Sequence, residues 1–170
     1  NPANNCAAME GREDWIQYVL DQPMAADPGT TFVYNSGATQ LLSYLIQKTT
    51  GHAVDDYARQ QLFGPLGIED FSWKRTPLGL SDTEGGLYLK PRDLAKIGLL
   101  YLQDGIWNGK RILPEAWVKS STTSLTATNE KGFGYGYQWW VGPEPGVFAA
   151  WGYGGQFLFV GSKRQAQEVV

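Results

Sequence analysis

Apolar and polar positions alternate along this chain on two periods, first near 3.6 residues and then near 2. In "GREDWIQYVLDQP", Trp15, Tyr18 and Val19 recur at helical spacing and Pro23 follows the end. From Ser36 to Thr50 the apolar positions are Ala38, Leu41, Leu42, Leu45 and Ile46. That is the stripe of an amphipathic helix, and Gly51 is placed to stop it. "AVDDYARQQLFGPLG" predicts a helix from about Ala53 to Leu62, ended by Gly64 and Pro65. "KPRDLAKIGLLYLQDG" has the clearest helix signals. Pro91 sits in the first turn, Asp93 lies near the positive end, and Gly105 closes it. "LPEAWVKSS" reads as a short helix. The period then changes. "FGYGYQWWVG" (133–142), "VFAAWG" (147–152) and "QFLFV" (156–160) read as strands, with "PEPG" and "YGG" as hairpin turns. Helices followed by strands predict an α+β domain with an antiparallel sheet.

Composition narrows the class. A chain of 170 residues fits one domain, and 42% hydrophobic with 18% charged residues is an ordinary globular balance. A net charge of −3 gives no electrostatic footprint for nucleic acid. The single Cys, Cys6, excludes an internal disulfide. The single His, His52, excludes a site built on several imidazoles, including most catalytic zinc sites. No apolar run approaches the roughly 20 residues of a membrane span, and no signal peptide is visible. The sequence starts at Asn1, and a polar tail, "GSKRQAQEVV", follows the run that ends at Val160. The pattern reads as one partial domain: a mainly helical part at about 9–130, sheet strands at about 133–160, and an atypical tail at 161–170.

Three stretches could carry chemistry. Tyr34-Asn35-Ser36 stands at the start of the second helix. Asn or Ser there caps the helix, and Gly37 relieves crowding in the first turn. Equally, a phenol at a helix N-terminus would have its ionisation favoured by the dipole and could move protons as a general base. "AAWGYGGQF" (149–157) is a Gly-rich hairpin turn, or else an edge strand that pairs with a substrate and offers an oxyanion-hole N–H. In "EGGLYLKPRDLAKIG" (84–98), Arg92 and Asp93 suggest a local pair and a structural role. Asp55 and Asp56 read as a solvated face. No G-x-S-x-G elbow and no P-loop pattern occurs.

Taken in order, "PGTTFVYNSGATQLLSYLIQKTTG", "LFGPLGIEDFSW", "GGLYLKPRDLAKIGLLYLQDGIWNGKRILPEAWV", "GYGYQWWV" and "AWGYGGQFLFV" resemble the serine β-lactamase-like hydrolases. That group includes class C β-lactamases, penicillin-binding DD-peptidases, family VIII esterases and 6-aminohexanoate-oligomer hydrolases. The resemblance runs from about Trp15 to Val160. It implies a β-lactamase/transpeptidase-like α+β fold, here a helical subdomain plus part of an antiparallel sheet, and it implies no metal or cofactor.

The family uses S-x-x-K for the nucleophile, Y-x-N for the base, and K/H-x-G on an edge strand lining the substrate site. Tyr34-Asn35-Ser36 matches the second motif, with Ser36 where Asn is usual. Ala150-Trp151-Gly152 occupies the third, where only the glycine matches. Ala150 in place of Lys or His points away from β-lactams and toward the esterase and amide-oligomer branch. The resemblance thus implies Tyr34 as base and the Tyr153 backbone N–H as oxyanion donor. Asn35, Ser36, Trp151, Gly152 and Gln156 would line the substrate site, and aromatics such as Trp139, Trp140, Trp151 and Tyr153 would favour an apolar or small amide substrate.

The first motif is absent: none of the eight serines has Lys three residues later. A nucleophile would therefore come from outside these residues, and the rival expectation is a non-catalytic binding or scaffold member of the same fold. The partners expected are a small ester or amide, with the missing part of the domain or a second copy also open. Neither nucleic acid nor a membrane span is expected. The resemblance favours a periplasmic or secreted setting and leaves a cytoplasmic one open.

Overall fold

A computed structural model describes residues 6–161 and 168–169. The chain divides into two compact units. The first comprises residues 1–64 and 69–88, and the second residues 65–68 and 89–170. Most of the tail (162–167 and 170) lies outside the described residues.

In the first unit, α1 (Cys6–Glu10), α2 (Trp15–Leu20) and α3 (Ser36–Thr50) pack on one another, and α4 (Val54–Ala58) follows. Asp14 caps α2 by accepting a hydrogen bond from the Gln17 amide. Asn35 caps α3 in the same way, accepting from the Ala38 amide at 3.0 Å, and Gly51 ends it in the left-handed region. The helix expected to reach Leu62 leaves the α geometry at Arg59. There α4 opens into a π turn, Arg59–Phe63, in which the Gly64 amide reaches back to the Arg59 carbonyl. Phe63 is buried, with its ring edge-on to Phe71 at 4.7 Å. Two further strands, β1 (Phe71–Trp73) and β2 (Leu87–Leu89), pair as a small two-stranded sheet.

Helix α3 buries a face other than its apolar stripe. Ser36, Gly37, Gln40 and Ser43 are buried, whereas Leu42 and Leu45 are 40% and 52% exposed. The cause is hydrogen bonding. The Ser81 carbonyl accepts from Ser43 Oγ at 2.6 Å and from Gln40 Nε2 at 3.2 Å. Thr83 donates its amide to Gln40 Oε1 at 2.9 Å and its hydroxyl to the Thr39 carbonyl at 3.0 Å. Buried polar groups are stable only when paired, and this loop supplies the partners. Asp55 also departs from the solvated face expected of it. It pairs with Arg75 at 2.6 Å and accepts from Ser81 Oγ at 2.9 Å.

In the second unit, α5 (Pro91–Leu102) has Pro91 in its first turn, as expected. Asp93 pairs with Lys96 at 2.7 Å instead of with Arg92. A small hairpin joins β3 (Ile106–Trp107) to β4 (Lys110–Arg111), and α6 (Glu115–Ser121) follows. The main sheet is an antiparallel meander in the order β10-β9-β8-β7-β6-β5. Its strands are β5 (Thr126–Ala127), β6 (Gly134–Tyr135), β7 (Trp140–Val141), β8 (Phe148–Gly152), β9 (Gln156–Val160) and β10 (Glu168–Val169). The stretch 133–142, expected as one strand, is a hairpin. It reverses at Gly136–Trp139, where the Gly136 amide donates to the Trp139 carbonyl and Gln138 takes φ 65°. Trp139, Phe148, Leu158 and Val160 form the core of the sheet, with Leu94, Tyr101 and Leu102 of α5 packed against them. The α+β class with an antiparallel sheet is the one expected.

Candidate active site

Tyr34, Asn35 and Ser36 form the entry to α3. Asn35 does the capping, which leaves the other two side chains for other contacts. Ser36 is buried and Tyr34 half-buried. A loop and a helix distant in sequence come to the same place. Cys6 of α1 donates its thiol to Glu84 Oε1 at 3.3 Å across 78 residues of sequence. The Ser36 hydroxyl stands within hydrogen-bonding reach of both the Cys6 sulfur and the Glu84 carboxylate. Glu10, one turn along from Cys6, adds a second, exposed carboxylate. Proximity alone does not make this cluster a metal site.

The electrostatics run against the expected helix-dipole effect. Tyr34 is pushed above the ordinary phenol value, first by burial, then by the Glu84 carboxylate and Cys6. The dipole argument fails here because desolvation and a neighbouring negative charge both favour the neutral phenol. Glu84 is itself raised, chiefly by burial. Cys6 is pushed from 9.0 up to about 11, by burial first and then by its contact with Glu84. A thiol so raised carries about a hundredfold less thiolate near neutral pH. Alkylation of Cys6 by iodoacetamide at pH 8 should accordingly run on the order of a hundredfold slower than that of an unhindered free thiol. A rate matching the free thiol would contradict this.

The other expected residues share one hairpin. Trp151 and Gly152 end β8, Gln156 starts β9, and Gly152↔Gln156 is the last paired position before the turn. Tyr153 lies beyond it at the tip, fully exposed. Gly154 and Gly155 take φ of 97° and 95°, which only glycine adopts at low cost. The Gln156 side chain folds back over this turn: a Cβ on Gly152 would stand 3.2 Å from its Oε1. Trp151 stacks on Trp140 at 4.3 Å, with Phe133 edge-on to it at 5.1 Å.

β8 lies between β7 and β9, but β7 pairs only with its first two residues, Phe148 and Ala149, whereas Ala150, Trp151 and Gly152 are paired on the β9 side alone. One expectation is corrected here. Trp139 belongs to the buried core with Phe148 and Tyr101, where it cannot line a cleft. Ala150 also packs against that core. The sequence reading missed Cys6, Glu10 and Glu84. Nothing local marks them, since each owes its place to contacts distant along the chain.

The Beta-lactamase family model matches residues 2–166. The chain belongs to that family. It is 29% identical over 149 residues to the 6-aminohexanoate-dimer hydrolase of Paenarthrobacter ureafaciens, covering 81% of this chain and 38% of that protein. The structure of a 6-aminohexanoate-dimer hydrolase-like protein from Bacillus anthracis superposes with a TM-score of 0.82 at 27% identity, covering 91% of this chain and 42% of that one. A penicillin-binding protein from Bacillus halodurans shares the fold, with a TM-score of 0.67 at 19% identity over 85% of this chain and 53% of that one. The chain spans about two fifths of the length of the curated relatives it matches. This is a β-lactamase-like hydrolase family with the β-lactamase/transpeptidase-like fold. Among the described residues, no helix is long and apolar enough to cross a membrane.

Proposed function

We propose that the chain is the base-bearing part of a serine hydrolase that cleaves an ester or amide by acyl transfer. The observation that carries this is Tyr34, half-buried at the capped start of α3 beside Ser36, in a chain of the β-lactamase family. The attacking serine and its lysine would come from outside these 170 residues, because no serine here has Lys three positions on. The serine Oγ adds to the carbonyl carbon. Its proton passes through the lysine and Tyr34 to the leaving group, and water then releases the acyl group. As the site stands, burial first, and then Glu84 and Cys6, hold Tyr34 as a phenol. The lysine ammonium is the charge that would bring it toward phenolate.

Tyr153 follows Gly152 at the turn, and its backbone N–H would stabilise the oxyanion. Asn35, Ser36, Trp151, Gly152 and Gln156 would contact the substrate. The missing Lys or His at Ala150 and the resemblance to 6-aminohexanoate-dimer hydrolases favour a small amide or ester over a β-lactam. The same departures also suit a non-catalytic member of the fold.

Intact mass after treatment of this chain with a fluorophosphonate tests the placement of the nucleophile. No adduct is expected. A stoichiometric adduct on one of its eight serines would place the nucleophile inside the chain and overturn the assignment.

A further inference from the structure

We propose that Glu84 is a positioning residue of the Tyr34 site: the loop 81–86 delivers its carboxylate to the start of α3, where it governs the proton on Tyr34. The inference deepens the reading of Tyr34 as the base and rests on it for its catalytic meaning.

The loop is built to hold this charge in place. Ser81 and Thr83 are tied to α3 through Thr39, Gln40 and Ser43. Asp82 turns the chain by accepting the Glu84 and Gly85 amides on Oδ1, at 3.1 and 3.2 Å. Trp73 Nε1 donates to the Asp82 carbonyl at 2.6 Å. Gly86 closes the turn so tightly that a Cβ there would stand 2.6 Å from Asp82 Cβ. None of these contacts uses the Glu84 carboxylate. That carboxylate reaches instead to Cys6 Sγ and the Ser36 hydroxyl, at the helix start two residues from Tyr34. Its neighbours thus carry the fold of the loop, and the charge of Glu84 is spare for the site.

The charged and titratable groups facing the site come from four places. Cys6 and Glu10 lie on α1, Tyr34 precedes α3, Asp82 and Glu84 belong to the loop, and Lys74, just after β1, feels Asp82 and Glu10. Glu84 and Cys6 act on Tyr34 directly, whereas Asp82 and Glu10 act on Glu84. The two groups that act on Tyr34 are both acids, so removing the Glu84 charge makes phenolate easier to form.

The test is an NMR titration of the protein labelled with ring-13C tyrosine, with Tyr34 assigned through Tyr34→Phe. Glu84→Gln and Glu84→Ala should each move the Tyr34 midpoint to lower pH, with the thermal midpoint little changed. The glutamine variant keeps the shape; the alanine variant covers the case in which it fails to fold. A Tyr34 midpoint unmoved or raised in the folded variants would overturn the proposal. The outcome is separable from that of the base assignment. If Tyr34→Phe abolishes turnover while the midpoint ignores Glu84, this inference alone fails. If the midpoint responds but turnover ignores Tyr34→Phe, the base assignment fails and the charge coupling stands.

Discussion

Replacing Tyr34 with phenylalanine in a gene product that also carries the S-x-x-K segment should lower kcat/KM about a hundred- to ten-thousandfold, the usual worth of a positioned acid–base group. The ring stays in place, so the half-buried packing of Tyr34 is kept and the hydroxyl alone is lost. That hydroxyl is needed when the serine proton leaves and again when the leaving group is protonated. The loss should therefore fall on kcat and kcat/KM alike, leaving KM nearly unchanged. Steady-state hydrolysis of a p-nitrophenyl ester measures it, with a thermal melt to show that the fold survives. Because burial, and after it Glu84, favours the neutral phenol, wild-type turnover should rise with pH through the ionisation of Tyr34. That rising limb should vanish in the phenylalanine variant. Unchanged turnover would remove Tyr34 from the chemistry.

Leu158→Ala should cost about 2–5 kcal/mol, a large share of the roughly 5–15 kcal/mol that holds a domain of this size together. Leu158 is 1% exposed and lies in β9, between β8 and β10. It packs with Trp139, Phe148 and Val160. Trp139 and Phe148 meet edge to face at 5.0 Å, and Tyr101 closes on Trp139 at 4.9 Å. Such a locked aromatic set cannot relax far into the space a leucine leaves, so most of the cavity persists. Denaturant unfolding would show a lower midpoint at unchanged slope. The fully exposed Tyr153, changed to alanine, should leave that midpoint where it is. A Leu158→Ala midpoint equal to wild type would mean that this cluster is not the core of the sheet.

Much of the fold was legible in the sequence, and its gaps have physical reasons. Helices α3 and α5 follow the expected ranges closely, because Asn35, Gly51 and Pro91 are local signals that tertiary contacts do not override. The buried face of α3 was misjudged, since apolar periodicity points to Leu42 and Leu45. The helix is instead fastened through Gln40 and Ser43 to backbone groups of a loop about 40 residues away. Two hairpins escaped for different reasons. Asn108-Gly109 between β3 and β4 is a strong turn signal that was there to be read. The reversal at Gly136–Trp139 depends on a positive φ at Gln138, which composition does not announce. At the site, Tyr34 and the capping by Asn35 were visible locally. Glu84 was not, because its meaning arises only when α1 and the loop meet at the start of α3.

The most direct measurement is the intact mass of the S-x-x-K-bearing gene product, quenched during turnover of a p-nitrophenyl acyl ester. The expected result is one acyl group per chain, on the serine of that motif outside the 170 residues. Turnover without a covalent acyl group, or an acyl group on any serine from Ser36 to Ser162, would contradict it.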